Sequence, residues 1–153
     1  MNNKRIVKIL NNLVAYHIDR ITGYEIGVKE TDEQDLKSMF SHFILVSQKI
    51  KAELSDEIRK LGGIPTAVVR ERENFLPCWK EVMRALGSKN PLEILVCCER
   101  SENVILDAYR KVLSDYEDEI PSDHQMATVQ SQIRLLKVNL NEIRDARGLF
   151  VIS

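Results

Sequence analysis

The sequence predicts an all-α fold: four long amphipathic helices in two antiparallel hairpins, joined by a long crossover that carries a short extra helix. Three observations predict it. Apolar residues recur at steps of three and four along most of the 153 residues. Only six glycines and four prolines interrupt them, so elements are long and turns few. The periodicity weakens at mid-chain, between Ile64 and Pro91.

The first helix runs from about Asn3 to Val28, with Ile6, Leu10, Leu13, His17, Ile21, Tyr24 and Val28 on one face. Thr31 or Asp32 caps the second, and acidic residues in its first turn suit the helix dipole. Its stripe passes through Leu36, Phe40, Phe43, Ser47, Ile50, Leu54, Ile58 and Leu61, and Gly62 or Gly63 supplies a left-handed C-cap. The short loop between these helices makes them an antiparallel hairpin. After an extended crossing, Pro77 opens a short helix with Trp79, Val82, Met83 and Leu86 on one face and Gly87 at its end. Asn90-Pro91 starts a long helix to about Asp118. Ser122 or Asp123 caps the last, whose stripe is Met126, Val129, Ile133, Leu136, Leu140 and Ile143, ending near Arg147-Gly148. Two hairpins with one long crossover form the ferritin-like topology, and the crossover has ample reach to span a bundle. Residues 1–153 read as a single domain.

Composition narrows the function classes. A net charge of −1 offers no basic surface for nucleic acid or an anionic membrane. No apolar run approaches the ~18 residues that span a bilayer. Lys8, Asn11 and Asn12 interrupt the apolar N-terminal patch, which reads as the start of a helix in a cytoplasmic protein rather than a leader. Cys78, Cys97 and Cys98, an odd count with an adjacent pair, read as reduced packing thiols. The "RERE" run at Arg70–Glu73 reads as solvated charge, "YEDE" at Tyr116–Glu119 as exposed acidic charge at a helix C-terminus that makes no metal site, and the tail "LFVIS" as packing on the bundle end or on a dimer partner.

Several stretches resemble a family of small bacterial proteins of unknown function described as ferritin-like four-helix bundles. They are "LNNLVAYHIDRITGYEIG", "LKSMFSHF…KAELSDEIRKLGG", a tryptophan in the crossover, and "ERSENVILDAYRKVL". Its most specific pieces are Gly23-Tyr24, Glu53-Leu54…Leu61-Gly62-Gly63, Trp79 and Glu102…Tyr109, within a likeness from about Ile9 to Ala146. The resemblance implies the fold and carries no activity.

The fourth long segment breaks its own pattern. Leu92 and Leu95 begin an apolar stripe that Leu106, Tyr109 and Leu113 complete, yet Glu99 and Glu102 hold the positions between. A di-iron site of this fold takes a Glu from each of two helices and Glu-x-x-His from each of the others. The residues three before His17, His42 and His124 are Val14, Met39 and Pro121, so no Glu-x-x-His exists. One reading keeps a reduced metal or proton-sharing site of Glu102, Glu99, His17 and Glu25, with Glu102, Glu99 and His17 as ligands. The other rotates the helix so that Leu95, Cys98, Glu102, Ile105, Leu106 and Tyr109 face the core, Glu99 sits at the boundary, and a polar side chain satisfies Glu102. A buried carboxylate demands such a partner. His17 is the first expectation for it, then Tyr24, with Tyr109 nearby. The expected function is a non-catalytic bundle acting through protein interaction or self-association, without a cofactor and as a homo-oligomer. The alternatives are a metal-binding or redox protein, and a small-molecule binder.

Overall fold

The computed structural model describes residues 3–118 and 122–152. Five helices follow one another: α1 (Asn3–Glu30), α2 (Gln34–Lys60), α3 (Pro77–Ser88), α4 (Pro91–Asp118) and α5 (Asp123–Ile152), with a 3-10 turn at Arg72–Asn74 in the crossover. Among the described residues no strand occurs.

The caps follow local chemistry. Thr31 is not the N-cap of α2; its hydroxyl accepts from the Glu33 N–H at 3.2 Å, and Glu33 is the cap without a side-chain bond. The end of α2 is a Schellman motif: Gly62, at φ 80°, sends its N–H to Arg59 O, and Gly63 reaches back to Ile58 O. Asn90 Oδ1 receives the Glu93 N–H, and Ser122 Oγ receives that of Gln125. α3 runs past Gly87 to Ser88 and stops at left-handed Lys89. α5 likewise passes Gly148, because one exposed glycine in a helix costs only ~1 kcal/mol.

α1 and α2 are antiparallel, with Gly27 on Phe40 at one end and Gly63 on Val7 at the other. The crossover climbs along α1. Asn11 clamps its start through Ile64 O and Thr66 N, Arg70 meets Asp19, and Arg72 forks onto Glu30. α3 then lies between α1 and α4, with the fully buried Trp79 ring against Gly23. A Cβ at Gly23 would come 2.5 Å from that ring, so only glycine permits the approach. α4 starts at the same end as α2 and runs parallel to it; α5 returns antiparallel.

The interior has two apolar zones. One is aliphatic, including Ile6, Leu10, Leu54, Ile58, Ile105 and Leu136. The other is aromatic, centred on Tyr24, Phe40, Phe43 and Trp79. Fully burying one such side chain contributes roughly 1.5–3 kcal/mol. Between the zones all four long helices insert polar side chains. Among the described residues no helix is long and apolar enough to cross a membrane. The side chains of the Tyr116–Glu119 run lie outside the described residues; of the tail, Leu149 is exposed and Phe150 packs on the aromatic zone.

Candidate functional site

At mid-height of α1, Arg20 points inward and is wholly buried. The helical period that carries Leu13, His17 and Tyr24 inward also carries residue 20, three after His17 and four before Tyr24. Its partner is Glu102 of α4, 1% exposed. Arg20 Nε donates to Glu102 Oε2 at 3.0 Å and Nη2 donates to Oε1 at 2.8 Å, a two-pronged fork. Nη1 donates to Ser47 Oγ at 2.8 Å and to the Phe43 carbonyl at 3.2 Å, both on α2. Nη2 also donates to Asn139 Oδ1 on α5 at 2.9 Å. All five guanidinium N–H groups are thus used. The Tyr24 hydroxyl donates to Glu102 Oε2 at 2.8 Å.

Facing this charged half is a neutral one. The Tyr109 hydroxyl donates to Gln132 Oε1 at 2.7 Å, and Gln132 Nε2 donates to Glu53 Oε1 at 3.3 Å. The Glu53 carboxylate sets the amide's orientation, since a flipped Gln132 would oppose two oxygens. Tyr109 has then spent its one proton, so its 2.9 Å contact with His17 Nε2 is a bond donated by the imidazole. His17 Nδ1 accepts from Ser47 Oγ at 2.9 Å. One tautomer satisfies every group: neutral His17 with its proton on Nε2. Burial, helped by the nearby Arg20 charge, lowers the His17 pKa from 6.5 to about 3. Burial lifts both tyrosines well above 10, and Glu102 adds to the rise at Tyr24. For Arg20 burial pulls down, but Glu102 and the tyrosines hold its pKa above the ordinary value.

The structure brings Glu102, His17, Tyr24 and Tyr109 into this layer, with a different pairing from that expected. Arg20 is the main partner of Glu102 and Tyr24 the second; His17 bonds Ser47 and Tyr109 instead. Glu99 lies at the bundle edge, its side chain 16% exposed, facing Arg144 at 3.7 Å and Arg147 at 3.3 Å. Glu25 is exposed on α1. Neither joins the centre, because each is about 100° round its helix from the inward position next to it. The sequence reading missed Arg20, Gln132 and Asn139. The α5 stripe of Met126, Val129, Ile133, Leu136, Leu140 and Ile143 leaves out Gln132 and Asn139, yet both are buried, and α5 turns Gln125, Val129, Gln132, Leu136 and Asn139 inward. The available signal was a basic residue at core spacing on one helix and an acidic one on another, for opposite charges buried at mid-helix have to meet.

The donor set does not fit the di-metal pair that this fold holds elsewhere. Such a site needs carboxylates and imidazoles from four helices. Here the layer has one buried carboxylate, already forked onto a permanent cation, and one imidazole with both nitrogens engaged. Among the described residues no three His, Cys, Asp or Glu side chains come together as a metal site. His42 and His124 are exposed, facing Glu142 at 3.9 Å and Glu57 at 2.7 Å. Cys97 and Cys98 are buried free thiols and Cys78 is half-buried, as packing residues would be.

The fold matches a solved structure of "ferritin like, diiron-carboxylate proteins" from Bacillus anthracis str. Ames, with a TM-score of 0.67. The match spans 97% of this chain and 99% of that one at 20% identity, a likeness of fold. No curated protein matches. The family model described as "Domain of unknown function (DUF2383)" matches residues 5–115, and the chain belongs to that family.

Proposed function

We propose that this protein is a non-catalytic helical scaffold that works through its surface, by self-association or by binding another protein, in the bacterial cytoplasm. The observation that carries the reading is the closed centre. Every polar atom of the Arg20–Glu102–Ser47–His17 set already has a partner inside the chain, which leaves no free donor for a substrate. The diiron-carboxylate character of the solved neighbour supports the metal-binding alternative, but the guanidinium at the centre weighs against it, since a second cation beside it would be repelled.

Surface features support association. Leu45 is 65% exposed and adjoins Val28 and Ile44 along the α1–α2 face. Ile64, Val68 and Val69 are exposed on the crossover. Light scattering across a concentration series tests the reading. A dimer or larger species that Leu45→Glu or Val69→Glu shifts toward monomer is expected. A strict monomer that purifies without an affinity tag carrying stoichiometric iron or manganese, lost in Glu102→Ala, would overturn it.

A further inference from the structure

The acceptors around Arg20 belong to three helices other than its own: Phe43 O and Ser47 Oγ on α2, Glu102 on α4, and Asn139 Oδ1 on α5. They lie at 2.8–3.2 Å from three separate nitrogens, whereas an ion such as Mg²⁺ draws its oxygens to a single point at about 2.0–2.1 Å. The shell therefore has the size of a planar trigonal cation. Two rings give a second, independent sign. Arg20 Cζ lies 5.3 Å from the Tyr24 ring centroid and 5.2 Å from that of Phe43, within cation–π range and on the face type that guanidinium prefers.

We propose that this shell is a guanidinium-binding site whose ligand is supplied covalently by Arg20, standing in the role of a central metal by tying four helices to one cation. Glu102 provides the fork, Asn139, Ser47 and the Phe43 carbonyl take the remaining N–H groups, and Tyr24 and Phe43 lie side by side against the cation, their ring centroids 5.4 Å apart. With its side chain removed, the shell takes up a free guanidinium compound and discriminates against a compact ammonium, which cannot reach the spread acceptors, and against a divalent metal ion.

The test uses the full chain with Arg20→Ala, melted with methylguanidinium chloride, methylammonium chloride or manganese(II) over the millimolar range, beside wild type. Expected is a saturable rise in the variant's melting temperature with methylguanidinium alone, absent from wild type and from the Arg20→Ala/Glu102→Gln double variant. Equal rescue by methylammonium, rescue by manganese, or no saturable rescue would overturn the proposal. If Arg20→Ala fails to fold, nitrogen-detected NMR of wild type decides. Five bonded N–H groups require four separate Arg20 Hη signals and a slowly exchanging Hε, and motionally averaged Hη signals would overturn it.

Discussion

Asp19 and Arg20 are neighbours on α1 and both are buried, but one lies under the crossover near Cys78 of α3, and the other faces the bundle centre. At the centre every charge valence is taken up. Under the crossover neither Asp19 oxygen has a hydrogen-bond partner among the described residues. The cation that meets Asp19 is Arg70, at 3.3 Å, reaching in on a long side chain from the crossover. Burial pushes the Asp19 carboxyl above the usual range, with Arg70 pulling the other way. The difference teaches where ion pairs organise a fold. A buried charge costs several kcal/mol unless its whole shell is built, and the shell exists only where four helices converge.

The largest expected effect is at the centre. Glu102→Ala strands a buried guanidinium and should cost about 3–5 kcal/mol in urea unfolding, while a joint Arg20→Met/Glu102→Leu exchange should recover most of it. A cost for Glu102→Ala below that of an ordinary surface change would erase the contrast with Asp19.

Acid should act on the same layer. The His17 pKa in the folded state lies near 3, below the 6.5 of the unfolded chain. Between those values the unfolded state binds the extra proton, so stability is full above pH 6.5 and falls as pH drops toward 3, by up to ~1.4 kcal/mol per unit. Urea midpoints against pH should show this limb in wild type and lose it in His17→Gln. Next is Gly23→Ala, which drives a methyl into the Trp79 ring and should cost about 1–3 kcal/mol in thermal or urea unfolding.

The smallest effect sharpens the other side of the comparison. Asp19→Asn keeps shape and removes a poorly satisfied charge, so global stability should stay within about 1 kcal/mol. Its pH dependence has the opposite sign to that of His17. The raised carboxyl holds its proton to a higher pH in the folded state than in the unfolded chain, so its contribution declines as pH rises through the shifted range and is absent in the variant. Loss of the Arg70 tether should show as faster limited proteolysis between Ile64 and Arg72.

Element order and most boundaries were legible because they rest on local periodicity and turn chemistry, as at Gly62-Gly63 and Asn90-Pro91. The polar layer was half legible. Glu102, His17, Tyr24 and Tyr109 sit at core spacing, and Glu102 had to find a partner. Arg20 escaped because Ile21 next to it is an equally well-spaced apolar residue, so the stripe was drawn through Ile21, which is only half-buried. The same choice hid Gln132 and Asn139 behind Ile133 and Leu140. Periodicity assigns a face only to within about a residue, and the apolar neighbour wins the assignment unless charge pairing between helices is weighed.

The single tautomer of His17 has one more consequence. From Arg20 through Ser47, His17, Tyr109 and Gln132 to Glu53, each group hands its hydrogen the same way, from the interior outward. Guanidinium at the inner end does not give up a proton and the Gln132 amide near the outer end cannot relay one. A row of polar groups leading from core to solvent is therefore an insulator for protons, a ratchet with no returning stroke.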